Sequence, residues 1–311
     1  MSHEVESMMY VGKEPWHGLG VSISENKRLS VHEALLAAGL DWEVELRHLY
    51  TEGSQGEGIG ILDHRCTCRT TDNRMLGIVG RDYTPLQNSE AFSWFQPFLD
   101  TGMATLETAG SLKNGQKVWV LARIRGSEGS VNGDRVDHCI LLSNAHDGSI
   151  PVRVGFTPIR VVCHNTLTMA HESKASRLLS VKHTRHILEN LESVRKIMDV
   201  ARKDFYATIE QYRRLAKKKI DRDDLERYVK VVFNAGDKGG EKVLPKVLYL
   251  FDHGRGSELA GATCWGAYNA VTEYLNYFRG KTQDNTLNSL WYGESAVVGA
   301  RALDLALKMA A

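Results

Sequence analysis

Little in this sequence marks a specialised class of protein. Proline is scarce, at 6 of 311 residues, and glycine, at 28, is ordinary. Hydrophobic residues make up 42% and charged residues 25%. Those proportions exclude a low-complexity tail, a collagen-like repeat and a disulfide scaffold. No stretch approaches 18 uninterrupted apolar residues, so neither a transmembrane helix nor a membrane partner is expected. The residues after Met1 lack the basic start and apolar run of a secretory signal. Cysteine is sparse and odd in number: Cys66, Cys68, Cys139, Cys163 and Cys264. Cys66-Thr67-Cys68 is too tight for a regular disulfide, so the expectation is reduced thiols and a cytoplasmic protein.

Enzyme signatures are missing too. No GxxxxGK[ST] occurs, and the glycines at 53–60 and 236–240 have the wrong spacing for a phosphate cradle, which argues against an NTPase. There is no HExxH, no GxSxG and no dinucleotide fingerprint. His64-Arg65-Cys66-Thr67-Cys68 and Cys163-His164 offer soft ligands, but no second knuckle completes a zinc site. Two small buried thiols on a core strand are the better reading. Cys163 and His164, as strand neighbours, point to opposite faces and make a poor nucleophile and base. No catalytic residue, metal or cofactor is expected.

What the sequence does have is a change of pattern and of charge. Residues 1–150 carry a net charge of −7, residues 151–230 carry +8, and residues 231–311 are neutral. Ser30-Val31-His32-Glu33 is a capping box opening a short helix that Gly39 ends. Strands follow at Trp42–Tyr50, Arg65–Thr70 and Met75–Val79, then a helix over Ser89–Leu99. Further strands are expected at Lys117–Arg125, His138–Ser143 and Val152–Phe156, with Lys113-Asn114-Gly115 as a hairpin turn. This predicts an α+β fold, a mainly antiparallel sheet with flanking helices over 1–165, followed by a helical region over 166–311.

Within the second region, Leu191, Val194, Met198, Ala201, Phe205, Thr208, Tyr212 and Leu215 follow a 3,4 spacing. A long heptad-patterned helix near 185–219 is expected to pack against another helix or a second subunit. Leu191, Val194, Met198, Phe205 and Tyr212, with Trp265 and Tyr268 of a later apolar helix, are the expected oligomer interface. Glu294–Met309 reads as a closing helix. Lys217, Lys218 and Lys219 near the long helix's end suit its dipole.

Cations also gather on the expected strands. Arg69, Arg81, Lys117, Arg123, Arg125, Arg153 and Arg160 are interleaved with Tyr83, Trp119 and Phe156. Lys117 with Trp119, and Arg123 with Arg125, are two apart and so share a sheet face. Cations that track phosphates beside rings that stack on bases are what a single-stranded nucleic acid requires. His164 and Asn165, after Arg160, extend the same surface. The competing reading pairs these arginines with Asp72, Asp82, Glu107 and Asp137 at the sheet rim.

Five blocks carry a family resemblance: Gly18-Leu19-Gly20, Tyr83–Asn88, Gly110–Trp119, Arg160–Leu167 and Trp265–Tyr274. In this order they resemble the phage and plasmid-like proteins grouped as domain of unknown function 932, over nearly the whole chain. The resemblance implies a mobile-element setting and DNA handling. The coarse architecture is also similar to that of single-strand annealing recombinases, which form rings or filaments. The leading expectation is therefore a single-stranded DNA binding and annealing protein that acts without ATP in recombination, as a homo-oligomer. Two alternatives stand beside it. One is an interaction protein that binds a host defence or mobile-element complex through the acidic first half. The other is a metal-dependent nuclease using carboxylates such as Asp63, Asp72 and Asp82.

Overall fold

The capping box at Ser30 forms in full. The Glu33 amide donates to the Ser30 hydroxyl at 3.2 Å, and the Ser30 amide donates to the Glu33 carboxylate at 3.0 Å. Two orphan donors are satisfied at once, and helix α1 (Val31–Ala37) starts there. It buries Ala34 and Leu35 and ends before Gly39, whose φ of +65° suits a residue without Cβ. This computed structural model describes residues 5–12, 19–160, 165–166, 179–189, 198–234, 240–279, 289–290 and 293–311.

Strands β1 (Val5–Val11) and β2 (Val21–Ile23) precede α1. After it come β3 (Val44–Glu52), β4 (Gly58–Arg69) and β5 (Met75–Gly80), which form a separate three-stranded antiparallel sheet. Where one helix was expected over Ser89–Leu99 there are two, α2 (Asn88–Ser93) and α3 (Gln96–Asp100). Pro97 explains the break, since it brings no amide to a continuous helix and is well placed in the first turn of a new one. Then β6 (Ala104–Leu112), β7 (Lys117–Val131), β8 (Asp134–Ala145), β9 (Val152–Arg160), β10 (Asn165–Thr166) and β11 (Leu179–Val181) complete the large sheet. Its order is β10-β9-β8-β7-β6-β1-β2, with β11 also on β9. Every pairing is antiparallel except β1 with β2.

Alternation along the strands sorts the large sheet's two faces. Val118, Val120, Ala122, Ile140, Leu142, Val152 and Val154 lie on one face, under Leu35, Phe92, Phe95 and Phe98 of the α1–α3 segment. Trp119, Leu121, Cys139 and Leu141 lie on the other, with Met8 and Tyr10. The α+β class and the mainly antiparallel sheet are as expected. The boundary at residue 165 is not. β11 pairs with β9, and Val181 and Ile187 join the first core, so the sheet draws chain from well beyond it.

Among the described residues six helices follow: α4 (Met198–Lys217), α5 (Arg222–Val232), α6 (Gly240–His253), α7 (Ser257–Ala260), α8 (Cys264–Tyr277) and α9 (Glu294–Met309). Phe205, Thr208, Tyr212 and Leu215 of α4 are all fully buried, so the 3,4 seam is real. Its partner, however, lies within the same chain. The Tyr212 ring sits 4.8 Å from Trp265 and 6.0 Å from Tyr268, both completely buried on α8. Phe205 stacks at 4.2 Å on His138 of β8. Phe205, Tyr212, Trp265 and Tyr268 are therefore core residues and not an oligomer interface. Leu191 and Val194 lie outside the described residues, as does the side chain of Met198.

The two halves interlock at the tip of the β7–β8 hairpin. Val131 and Val136 belong to the helical core, and the indole of Trp265 donates to the buried Asp134 carboxylate at 3.0 Å. A Cβ on Gly129 would meet Ile209 at 2.4 Å, so glycine there permits the close approach of α4.

Candidate nucleic-acid interface

The cations expected to line a sheet groove are mostly held by carboxylates. Arg69 donates to both Glu6 oxygens at 2.9 and 3.0 Å and to Asp72 at 2.9 and 2.6 Å, over the Trp42 ring. Arg123 is bonded to Glu107 at 2.9 Å and lies 3.5 Å from Asp137, while burial raises the Glu107 carboxyl above its ordinary range. Lys117 is buried. Trp119, expected to stack bases, is only 2% exposed, and its indole donates to Thr108 at 3.2 Å. A ring enclosed in this way cannot receive a base, and these four residues do not form the expected interface. Arg125 is exposed and Arg153 half-buried. The side chains of Arg160 and Asn165 lie outside the described residues, as does the whole of His164.

Arg81 is different. It is exposed, with only loose contacts of 4.0 Å to Asp63 and 3.8 Å to Asp82, and it stands on the rim of an open cleft of about 650 Å³. Lys182, His183, Thr184, Ile150 and Pro151 line the same cleft. The His183 and Tyr83 rings stack at 4.5 Å. Tyr83 donates to the Ala145 carbonyl at 3.0 Å and burial raises its phenol, so it stays neutral. Burial lowers the His183 imidazole, although its bond to the Thr84 carbonyl opposes the shift. Behind this wall the fully buried His146 is held by Asn88 at 3.0 Å, and burial, with a contribution from His183, lowers its pKa to about 3. Tyr83 is thus half committed to the protein, and the cleft is short for a polymer.

A second cationic surface lies at the far end of the molecule. β8 runs from the helical core at Asp134 to the cleft at Ala145, about 36 Å for a strand of its length. On the helical side, Arg214, Lys217, Lys218 and Lys219 are all exposed, and among the described residues none forms an ion pair. Neighbouring cations are satisfied: Arg213 pairs with Glu210, Arg222 with Asp252 and Arg227 with Asp224. The backbone beneath the cluster is pinned, because the Cys264 amide donates to the Lys218 carbonyl at 2.8 Å and Lys219 bridges to Thr263. Tyr249 stands one turn before Asp252, the partner of Arg222, and is 54% exposed. Lys246 lies 5.1 Å from its ring. The cluster therefore combines a fixed backbone with cations that form no ion pair among the described residues. Tyr249, whose ring also lies 5.0 Å from His253, is an exposed ring on the helix that holds Arg222. Sequence reading saw these lysines but credited them to the helix dipole, and it counted neither Arg214 nor Tyr249 among the binding residues.

The remaining candidates offer less chemistry. Cys66 and Cys68 are buried thiols 3.3 Å apart, and burial with their mutual contact pushes Cys68 up to about 11, far from a reactive thiolate. Asp72 is bound to Arg69, while Asp63 and Asp82 project into solvent. Among the described residues no three of His, Cys, Asp and Glu gather as metal ligands, and no helix is long and apolar enough to cross a membrane.

The model of one family, Domain of unknown function (DUF932), matches residues 75–291, from β5 of the small sheet to the segment before α9. No curated protein and no solved structure matches the chain.

Proposed function

The chain belongs to the DUF932 family, and from that premise we propose that it binds single-stranded DNA at the cation cluster ending α4 and promotes strand annealing without ATP. One observation carries the reading: Arg214, Lys217, Lys218 and Lys219 stand together within six residues, exposed and, among the described residues, in no ion pair. Four like charges at one helix end repel one another, and the helix dipole offsets this by only about 0.3–1 kcal/mol per site. A polyanion removes that repulsion and releases its own counterions.

Tyr249 supports a single strand over a duplex. Its exposed ring, on the helix whose Asp252 holds Arg222, offers a face for an unpaired base and finds no such partner on paired DNA. Annealing then needs no chemical step, because a strand held by its phosphates keeps its bases available for pairing. Recombination of a mobile element is the setting this activity would serve. Fluorescence anisotropy with a labelled single-stranded oligonucleotide and its duplex tests the proposal. Tighter binding of the single strand is expected. No binding at low salt, or equal affinity for the duplex, overturns it.

A further inference from the structure

Exposed large hydrophobic side chains concentrate on the small sheet, where Leu46, Tyr50, Ile59, Ile61, Leu62 and Ile78 all face solvent. Its outer strand β3 is a sheet edge. The alternation of hydrogen bonds fixes which of its backbone groups point outward. The register of β3 on β4 shifts between His48 and Leu49. The Thr70 amide donates to Glu43 before the shift and the Gly53 amide donates to Glu57 after it, so odd-numbered residues turn toward β4 on both sides. Val44 turns outward, where the Gln87 side chain both accepts from its amide and donates to its carbonyl, each at 2.9 Å. Gln87 therefore caps the edge at its start. Beyond it the outward groups of Leu46, His48, Tyr50 and Glu52 bond to no side chain or loop among the described residues. The strand contains neither proline nor lysine, and the irregularity between His48 and Leu49 places its extra residues on β4, leaving β3 itself continuous.

We infer that this edge pairs with the same edge of a second copy, independently of whether the chain binds DNA. The free edge runs from Leu46 to Glu52, and its midpoint is Leu49. A two-fold axis through Leu49 sets Leu46 opposite Glu52 and His48 opposite Tyr50, so every open backbone group is matched, by about eight hydrogen bonds. No like charges face each other. On the other face Leu49 pairs with Ile61 of β4 within one chain. The dimer then has a continuous apolar row of Ile61, Leu49, Leu49 and Ile61 across its four central strands. Self-complementarity over the full free length is what favours a second copy over an unrelated strand.

Sedimentation equilibrium and oxidative cross-linking of the full chain test the inference. A concentration-dependent dimer is expected, weakened more than about a hundredfold by Leu49→Lys, which sets two cations on the axis. Tyr50→Pro, which removes an outward amide, should weaken it similarly, and unchanged circular dichroism and melting confirm that both variants fold. The two Leu49 α-carbons would lie about 4.5 Å apart, within disulfide range, so Leu49→Cys should cross-link on oxidation while Leu62→Cys and the wild type should not. A wild type that stays monomeric, a dimer indifferent to both substitutions, or cross-linking through Leu62→Cys alone overturns the pairing.

Discussion

Neutralising half of the α4 cluster should change how DNA binding depends on salt, by an amount that follows from the count of open cations. Arg214 to Lys217 spans about 4.5 Å of helical rise and Lys218 and Lys219 follow directly, a spacing comparable to the Debye length of about 8 Å at physiological salt, so the four charges act as one site. If each meets one phosphate, log affinity should fall against log salt with a slope of about −2.8 for a single strand. Raising salt fourfold then weakens binding about fiftyfold. Lys217→Gln combined with Lys218→Gln leaves two cations, a slope of about −1.4 and a loss of only about sevenfold over the same range. The substitutions touch no ion pair, and the lost dipole interaction costs well under about 2 kcal/mol, so the fold should survive. The assay is anisotropy titration at four salt concentrations, with circular dichroism of each protein. The same double substitution at Arg69 and Arg123 should leave the slope alone, since carboxylates already hold both. An unchanged slope in the lysine variant, or a halved one in the arginine variant, refutes the assignment.

Three further outcomes follow from the packing. His146 has a folded pKa of about 3, so between pH 6.5 and 3 the unfolded chain binds a proton that the folded chain refuses. Stability is full above pH 6.5 and should fall by up to about 1.4 kcal/mol per pH unit below it, with His183 acting in the same direction. Urea titrations at several pH values should show this slope, and His146→Gln should flatten it. Trp265→Phe withdraws a donor from the buried Asp134 carboxylate and should cost about 2–3 kcal/mol in chemical denaturation. A Cβ on Gly110 would meet the Ser7 carbonyl at 2.4 Å and the Trp119 ring at 2.5 Å, so Gly110→Ala should cost about 1–3 kcal/mol. Gly80→Ala, with open space around its Cβ, should by the same measurement be near neutral.

The features legible in the sequence are those whose causes are local. The Ser30 capping box needs a serine and a glutamate three residues apart, and α9 spans the expected Glu294–Met309 because its start, its periodicity and its end lie in one stretch. The misreadings share a different physics. A strand position reveals which face Trp119 occupies, but whether that face is covered depends on chain far away. One of the two carboxylates that hold Arg69, Glu6, lies 63 residues earlier, and only its neighbour Asp72 was visible nearby in the letters. A 3,4 seam states that α4 is packed and is silent on whether the partner is α8 or a neighbouring molecule. The same distinction bears on the α4 cluster. That Arg214, Lys217, Lys218 and Lys219 are close together is a local fact, visible in the letters. That no described carboxylate folds back onto them is a long-range one, which the letters do not carry. Exposed charges on a backbone pinned at Lys218 and Lys219, with no described carboxylate bound to them, are placed where an outside anion can reach them.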